Sequence, residues 1–198
     1  MDEPTSPGEK RQVTKRMVKE FNINLIRTWK PASEIWAFKF GDDVLGIMNA
    51  VSGAFVMHEV RKHLKLRPHV RGTCYIPVTA LAYTLTDVFH SNYISRKILE
   101  RDSCSLCITT KAGIIQAALG VAYPLIISPI IGFYMADKLL TYPIPSIHRA
   151  PRELFYLWMK IVAKNRRFIL VSSTIQIVAA SLVTFEKQSF FFNFINMK

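Results

Sequence analysis

The sequence has few acidic residues and few cysteines, and each shortage argues against a class of protein. The 198 residues include 26 Lys and Arg but only 14 Asp and Glu, and half of the chain is hydrophobic. A nucleic-acid binder can carry such a charge, but here the basic residues lie between apolar runs rather than on one face or tail. Three cysteines do not make a disulfide framework. High apolar content with a net charge of +12 is typical of a small membrane protein with basic loops.

The sequence also lacks the motifs of the common enzyme and cofactor sites. It contains no P-loop, no GxSxG and no glycine-rich nucleotide turn. Its five histidines and its one close cysteine pair lack the spacing of a zinc site, and the histidines that flank the predicted spans, His58 and His90, are better explained as exposed interfacial residues than as haem ligands. We therefore expect a non-enzymatic protein with no catalytic residue, metal site, cofactor or nucleic-acid partner.

The N-terminus carries no recognisable targeting segment. The first ten residues, MDEPTSPGEK, are polar and partly acidic, unlike a secretory signal or an Arg-rich mitochondrial presequence. We expect residues 1–40 to form a disordered tail and a basic amphipathic helix, Lys10 to Trp29. That helix could lie on an anionic membrane surface or pack on a partner protein, and the sequence favours neither.

The longest uncharged run, Ala112 to Met135, predicts a transmembrane helix. At 1.5 Å per residue it reaches about 36 Å, whereas the hydrocarbon core of a bilayer is about 30 Å thick. Pro124 and Pro129 each remove a backbone donor inside this run, which predicts a kink near Tyr123 and a second near Ser128. Gln116 is expected to face protein rather than lipid.

Small residues in the first half of this run indicate close helix packing. Helices in lipid associate through small side chains that let their backbones approach. The predicted helix-packing or partner interface consists of Gly113, Ala117, Gly120, Tyr123 and Pro124.

Three further apolar stretches complete the predicted fold, which is an all-α polytopic membrane protein. The membrane domain covers residues 41–198, with about four transmembrane helices predicted at about 43–58, 72–90, 112–135 and 168–185. A polar loop is expected from Asn92 to Lys111, and a Pro-rich linker and an amphipathic segment, Glu153 to Arg167, between the last two spans. The basic loops after the first and third spans weakly favour termini on the outer side.

Two features carry chemistry that the sequence leaves open. Cys104 and Cys107 have redox-active spacing, but no thioredoxin-like pattern surrounds them, so a local disulfide and two free thiols both remain. Asp87 is the one carboxylate expected near membrane depth, where acids are functional candidates.

The region from Cys104 to Ser146 resembles the transmembrane protein 126 family of the inner mitochondrial membrane. The family pattern has cysteines, a basic and small entry to a long helix, a Gly-x-x-Tyr-Pro, a Pro-rich linker and a later Trp. The matching positions are Cys104, Cys107, Thr110, Lys111, Ala112, Gly113, Gly120, Tyr123, Pro124, Pro143, Pro145 and Trp158. The sequence departs from the pattern at Asp137 and Lys138.

This resemblance implies a multi-pass protein of the mitochondrial inner membrane that acts as an assembly factor for the membrane arm of respiratory complex I. The implied partners are membrane-arm subunits, ECSIT, an acyl-CoA dehydrogenase-like assembly factor and a CIA-type assembly factor, within an intermediate assembly complex. Membrane lipids, cardiolipin among them, are expected ligands of the basic segments. Two alternatives stay open: a permanent accessory subunit of a respiratory complex, and a small transporter or channel using Asp87.

Overall fold

The computed structural model describes residues 34–66, 71–100, 104–143 and 151–196. All regular secondary structure in these ranges is helical, which confirms the all-α prediction. The expected N-terminal tail and the basic helix from Lys10 to Trp29 lie outside the described residues.

Eight α-helices follow one another along the described ranges, and two of the joints between them are π-helical. The helices are α1 Trp36–Lys39, α2 Gly41–His63, α3 Arg71–Phe89, α4 Arg96–Glu100, α5 Ser105–Ala117, α6 Tyr123–Leu139, α7 Pro151–Lys164 and α8 Arg166–Asn196. The π-helical segments are His90–Ser95, between α3 and α4, and Ala118–Ala122, between α5 and α6. The expected polar loop from Asn92 to Lys111 was wrong, because most of this stretch is helical.

The long helices form a bundle in which successive members alternate in direction. The side chain of Asn49 on α2 donates to Thr86 on α3 at 2.6 Å, and His58 meets Tyr75 at 3.3 Å, so higher numbers on α2 pair with lower numbers on α3. The continuous helix α5–α6 runs parallel to α2, because Gly132 lies against Val60 near the end of both.

The last long helix, α8, is antiparallel to α2. Ser52 of α2 lies 3.2 Å from Ser172, and Asp42, ten residues earlier, reaches Lys187. The four long helices therefore run up, down, up and down, with the ends of α2, α3, α5–α6 and α8 collected at two opposite faces of the bundle.

Several polar residues lie among the apolar ones inside the bundle, and branched apolar residues are exposed on its outside. Asn49, Thr86, Gln116 and Gln176 are all buried, whereas Ile47, Val51, Ile126, Ile130, Leu170 and Leu182 are exposed. A water-soluble bundle shows the reverse arrangement, because its apolar stripe faces the core. An apolar outer surface is what helices in contact with lipid present.

Two helices of the described chain are long and apolar enough to cross a membrane, Ser105–Leu139 and Arg166–Asn193. These contain the predicted spans 112–135 and 168–185, and both helices are longer than predicted. The span at 43–58 lies within α2, and the span at 72–90 lies in α3 except for its last residue; the 23 and 19 residues of these helices correspond to about 34 Å and 28 Å. That α2 and α3 also cross the membrane stays a prediction.

The prolines of the central helix each leave a backbone carbonyl without its usual donor. The helix becomes π-helical over Ala118–Ala122, immediately before Tyr123 and Pro124, where the sequence predicts a kink. Around Pro129 it stays α-helical. Pro129 has no N–H to donate to the Leu125 carbonyl, and the indole nitrogen of Trp158 donates to that oxygen at 2.9 Å instead.

This bond attaches α7 to the bundle. The amphipathic helix also buries Ile161 in an apolar cluster with Val60, Leu64 and Phe133. It ends at Lys164, three residues short of the predicted Arg167. As a result, α7 packs against the last turns of α2 and against α6.

Candidate functional site

The centre of the bundle contains a cluster of buried amides on three helices. The side-chain nitrogen of Gln116 lies 2.9 Å from Asn49 Oδ1, 3.1 Å from the Leu45 carbonyl and 3.3 Å from Gln176 Oε1. Asn49 in turn donates to Thr86, which extends the network to α3. Gln116 therefore faces protein, as its sequence context predicts, and links α5 to α2 and α8.

Gly120 makes room for this cluster. A Cβ atom at position 120 would overlap the side-chain oxygens of both Gln176 and Asn49. The glycine lies in the π-helical segment, one turn after Gln116. Only a residue without a side chain lets the backbone of the central helix lie directly over the amides of its neighbours.

Several buried polar atoms near the bundle axis have no hydrogen-bond partner among the residues that the structure describes. They belong to five side chains: His90 Nε2, Gln116 Oε1, Ser128 Oγ, Gln176 Nε2 and Thr184 Oγ1. The interpretation of His90 as an exposed interfacial histidine was wrong, because its side chain is 1% exposed, whereas His58 is exposed as expected. The interior thus keeps unused hydrogen-bonding capacity.

The structure places the five predicted interface residues within the chain's own bundle. A Cβ at Gly113 would lie 3.2 Å from Ile177 and 3.7 Å from Ser181, so this glycine packs on α8. Tyr123 donates from its hydroxyl to the Pro77 carbonyl at 3.3 Å.

Pro124 is buried opposite Gly53, and Ala117 is half-buried. A contact between these five residues and another protein stays a prediction. The intramolecular neighbours show that replacing Gly113 or Gly120 by a large residue would disturb the bundle itself.

A buried ion pair that the sequence did not reveal closes one end of the bundle. Lys187 Nζ lies 2.6 Å from Asp42 Oδ1 and 2.8 Å from the hydroxyl of Ser95, and both charged side chains are largely buried. Asp42 is therefore a buried carboxylate that the sequence pattern did not single out, and the membrane depth of Asp87 stays a prediction. A signal was present: Lys187 falls on the same face as Ala180, Val183 and Thr184, which are buried.

Asp87 is half-buried at the same end, near the ion pair. Its charge acts on both Asp42 and Lys187. Tyr83, one turn before it, instead donates its hydroxyl proton to Asp43 at 2.6 Å. At this position the charge of Asp87 contributes to the electrostatic interactions of the ion pair, and a transport role of Asp87 stays a hypothesis.

The two cysteines of the pair are joined by a disulfide in the structure. Their Cα atoms are 5.3 Å apart, Cys104 is the N-cap of α5, and the Cys107 backbone N–H donates to its sulfur at 3.2 Å. The next residue, Ser105, is hydrogen-bonded to Gln188 of α8. The third cysteine, Cys74, is buried and free.

The two ends of the bundle differ in charge. The end that carries the α2–α3 connection and α7, which we call the basic end, has nine basic and three acidic residues in 58–66, 137–143 and 151–167. The opposite end has five basic and five acidic residues in 34–43, 87–99, 104–111 and 186–193, and we call it the neutral end. No group of three or more His, Cys, Asp or Glu side chains that could hold a metal ion occurs among the described residues.

Comparisons with known proteins agree on one family. The model of the family described as Transmembrane protein 126 matches residues 22–197. A Drosophila melanogaster protein named Transmembrane protein 126 is 32% identical over 150 residues, which cover 75% of this chain and 67% of that protein. The comparison with solved structures finds no match.

Proposed function

Because this chain belongs to the transmembrane protein 126 family, we propose that it is a non-enzymatic scaffold for assembling the membrane arm of mitochondrial respiratory complex I. In this role it resides in the inner membrane as part of an intermediate assembly complex. Its partners are membrane-arm subunits together with ECSIT, an acyl-CoA dehydrogenase-like assembly factor and a CIA-type assembly factor.

The observation that carries the proposal is that the two faces of the central helix differ in their contacts. The inward face packs against the other helices of the bundle. The outward side presents exposed residues at four-residue spacing, which we call the outward row: Ile114, Ala118, Ala122, Ile126, Ile130 and Tyr134. Ala118 and Ala122 are neighbours on this side of the helix, and their small side chains let another transmembrane helix approach closely, which is how helices associate in lipid.

In this proposal α2, α3, α5–α6 and α8 all cross the membrane, and the basic end lies on the matrix side. Transmembrane proteins have an excess of Lys and Arg in the loops that are not translocated across the membrane. The disulfide of Cys104 and Cys107 then lies at the neutral end, on the intermembrane-space side, where disulfides can persist more readily than among cytosolic thiols.

The test is a native-gel complexome profile of mitochondria that express the tagged full chain. We expect the chain to migrate with incomplete complex I intermediates and to be absent from the mature enzyme. Stoichiometric presence in a mature complex would instead identify a permanent accessory subunit. Migration as a small oligomer alone would overturn the scaffold proposal.

A matched pair of variants tests the outward row. Ala118→Leu combined with Ala122→Leu places bulk on the exposed face of the central helix, whereas Ala80→Leu places it on the exposed face of α3. We expect the double variant to leave the intermediates while still inserting, and the α3 variant to stay with them. Equal co-migration of both variants would exclude this row as the docking face.

The transporter alternative has one supporting observation, the buried polar atoms without hydrogen-bond partners among the described residues. Asp87→Asn separates the two ideas. A scaffold should keep its place in the intermediates, because a half-buried amide can occupy the same space. A transporter would lose function while its assembly state stays intact.

A further inference from the structure

We propose that a groove at the basic end, between the last turns of α2 and the first turns of α3, binds the phosphate headgroup of an acidic phospholipid. The inference relies on the membrane placement proposed above but not on the role in complex I assembly. It assigns the expected lipid contact to particular side chains.

The groove is open and has a volume of about 850 Å³. Among the described residues, its walls carry four side chains with basic groups, His58, Arg61, Lys62 and Lys65. Leu66, Gly72 and Tyr75 also line it. The acidic residue on this part of α2, Glu59, lines a different depression on the side of α7. A concave surface bordered by cations such as Lys62 and Lys65 attracts an anion.

Local structure holds these groups around the opening. The guanidinium of Arg61 lies over the ring of Tyr75 at 5.6 Å, and the Tyr75 hydroxyl lies 3.3 Å from His58 Nδ1. Lys65 ends the helix in the left-handed conformation with φ of 51°. Backbone hydrogen bonds from Lys65 N–H to the Lys62 carbonyl and from Leu66 N–H to the Arg61 carbonyl fix this turn. Lys62 and Lys65 both border the groove.

The surroundings favour a lipid over a soluble anion. Ile76 follows Tyr75 on α3, and its side chain is 64% exposed. Farther along the same helix, Leu81 and Val88 are also exposed. The phosphate of a lipid in the groove would therefore lie close to exposed apolar side chains of α3, which its acyl chains can contact. This arrangement is expected at the level where headgroups meet hydrocarbon.

The experiment measures lipid binding to the purified full chain by native mass spectrometry in detergent. The probes are tetraoleoyl cardiolipin and, as the zwitterionic reference, dioleoyl phosphatidylcholine. The test variant is Lys62→Gln with Lys65→Gln. The control variant, Lys39→Gln with Lys111→Gln, removes the same charge from exposed positions at the neutral end. Millimolar inorganic phosphate is the competitor that separates a headgroup site from a free phosphate site.

We expect the chain to prefer cardiolipin, and the test variant to bind it about 30-fold more weakly, since each lysine near a lipid surface contributes about 1 kcal/mol. The control variant should keep its affinity, and inorganic phosphate should not displace the lipid. Equal losses in both variants, or no preference for cardiolipin, would overturn the site. Displacement of the lipid by inorganic phosphate would overturn the lipid proposal and would identify the groove as a site for a soluble anion.

A second variant protects the interpretation. Ile76→Ser removes the exposed apolar side chain beside the groove without touching its charges. We expect it to weaken tetraoleoyl cardiolipin binding. Unchanged binding would contradict the acyl-chain part of the proposal. The complexome profile does not depend on these lysines being lipid ligands. A negative result in the lipid experiment would therefore not contradict the scaffold proposal.

Discussion

Asp42 and Lys187 form an ion pair, with 2.6 Å between Oδ1 and Nζ, although 145 positions separate them in the chain. The pair joins the first turn of α2 to the last third of α8. Ser95 also accepts a hydrogen bond from Lys187, and Phe38 lies under its ammonium group at 5.5 Å. One lysine therefore connects four segments at the neutral end.

We predict that Lys187→Met destabilises the chain by about 3–5 kcal/mol, because it leaves the carboxylate of Asp42 buried without its counter-charge. The measurement is denaturant unfolding in detergent micelles. The double variant Asp42→Asn, Lys187→Met should recover most of the loss. Glu186→Gln, at the exposed neighbouring position, is the control, and a loss of the same size there would contradict the prediction.

We predict that Gly120→Ala lowers the free energy of unfolding by about 1–3 kcal/mol. The new methyl group would displace the amides of Gln176 and Asn49 and break buried hydrogen bonds. Gly72→Ala is the control, because a Cβ there meets no atom closer than 3.9 Å. That variant should be neutral or stabilising by about 0.5–1 kcal/mol, as alanine favours helix. Equal effects in thermal unfolding would show that the amide cluster does not need the glycine.

We predict that Trp158→Phe weakens the attachment of α7 to the bundle. The substitution keeps the ring but removes the donor to the Leu125 carbonyl, at a cost of about 1 kcal/mol. Hydrogen exchange in detergent should then accelerate in Pro151–Lys164 more than in α2 or α8. Trp36→Phe, at an exposed position of α1, should leave the exchange of α7 unchanged. Unaltered exchange in both variants would contradict the anchoring role.

We predict that the three cysteines react with a maleimide in distinct steps. The disulfide blocks Cys104 and Cys107, and burial protects Cys74, so the native chain should take no label. Reduction should allow two labels, and reduction with denaturation three. Two labels on the unreduced chain in intact mitochondria would show that the pair is a dithiol there.

Burial, followed by the charges of Lys164 and Lys160, lowers the pKa of His63 below its usual value of 6.5. Glu59 and Lys62 on α2 and Tyr142 are its other close neighbours. Because the folded state resists protonation, the stability contributed by neutral His63 is present above pH 6.5 and is lost as the pH falls towards the lowered pKa.

We therefore predict that Lys164→Gln raises the pKa of His63 towards 6.5, as measured by NMR titration of the imidazole carbons in micelles. Removing one of the two nearby cations weakens the repulsion of the imidazolium. Lys111→Gln, at the opposite end of the bundle, should leave the titration unchanged. A pKa that stays fixed in both variants would show that the charge of Lys164 does not contribute to the shift.

Local sequence predicted the parts of the fold that depend on neighbouring residues. The uncharged run around Gln116 identified the central helix, and Pro124 located its irregular segment. The contacts at the neutral end were beyond such reasoning, because Asp42 looks like the polar limit of a short span until Lys187 is brought beside it. His90 was misread for the same reason: its burial comes from distant helices and not from its polar sequence neighbours.

The unequal ends of the bundle make the chain electrically polar along the axis that would cross the membrane. A membrane potential does work on charge, about 2.3 kcal/mol for each elementary charge moved through 100 mV. In the described ranges, one end has nine basic and three acidic residues and the other has five of each, so two opposite insertions of this part of the chain differ in electrical energy. If these helices cross the membrane as proposed, an energised membrane should favour one orientation during insertion, and dissipating its potential should increase the fraction of chains inserted the wrong way round.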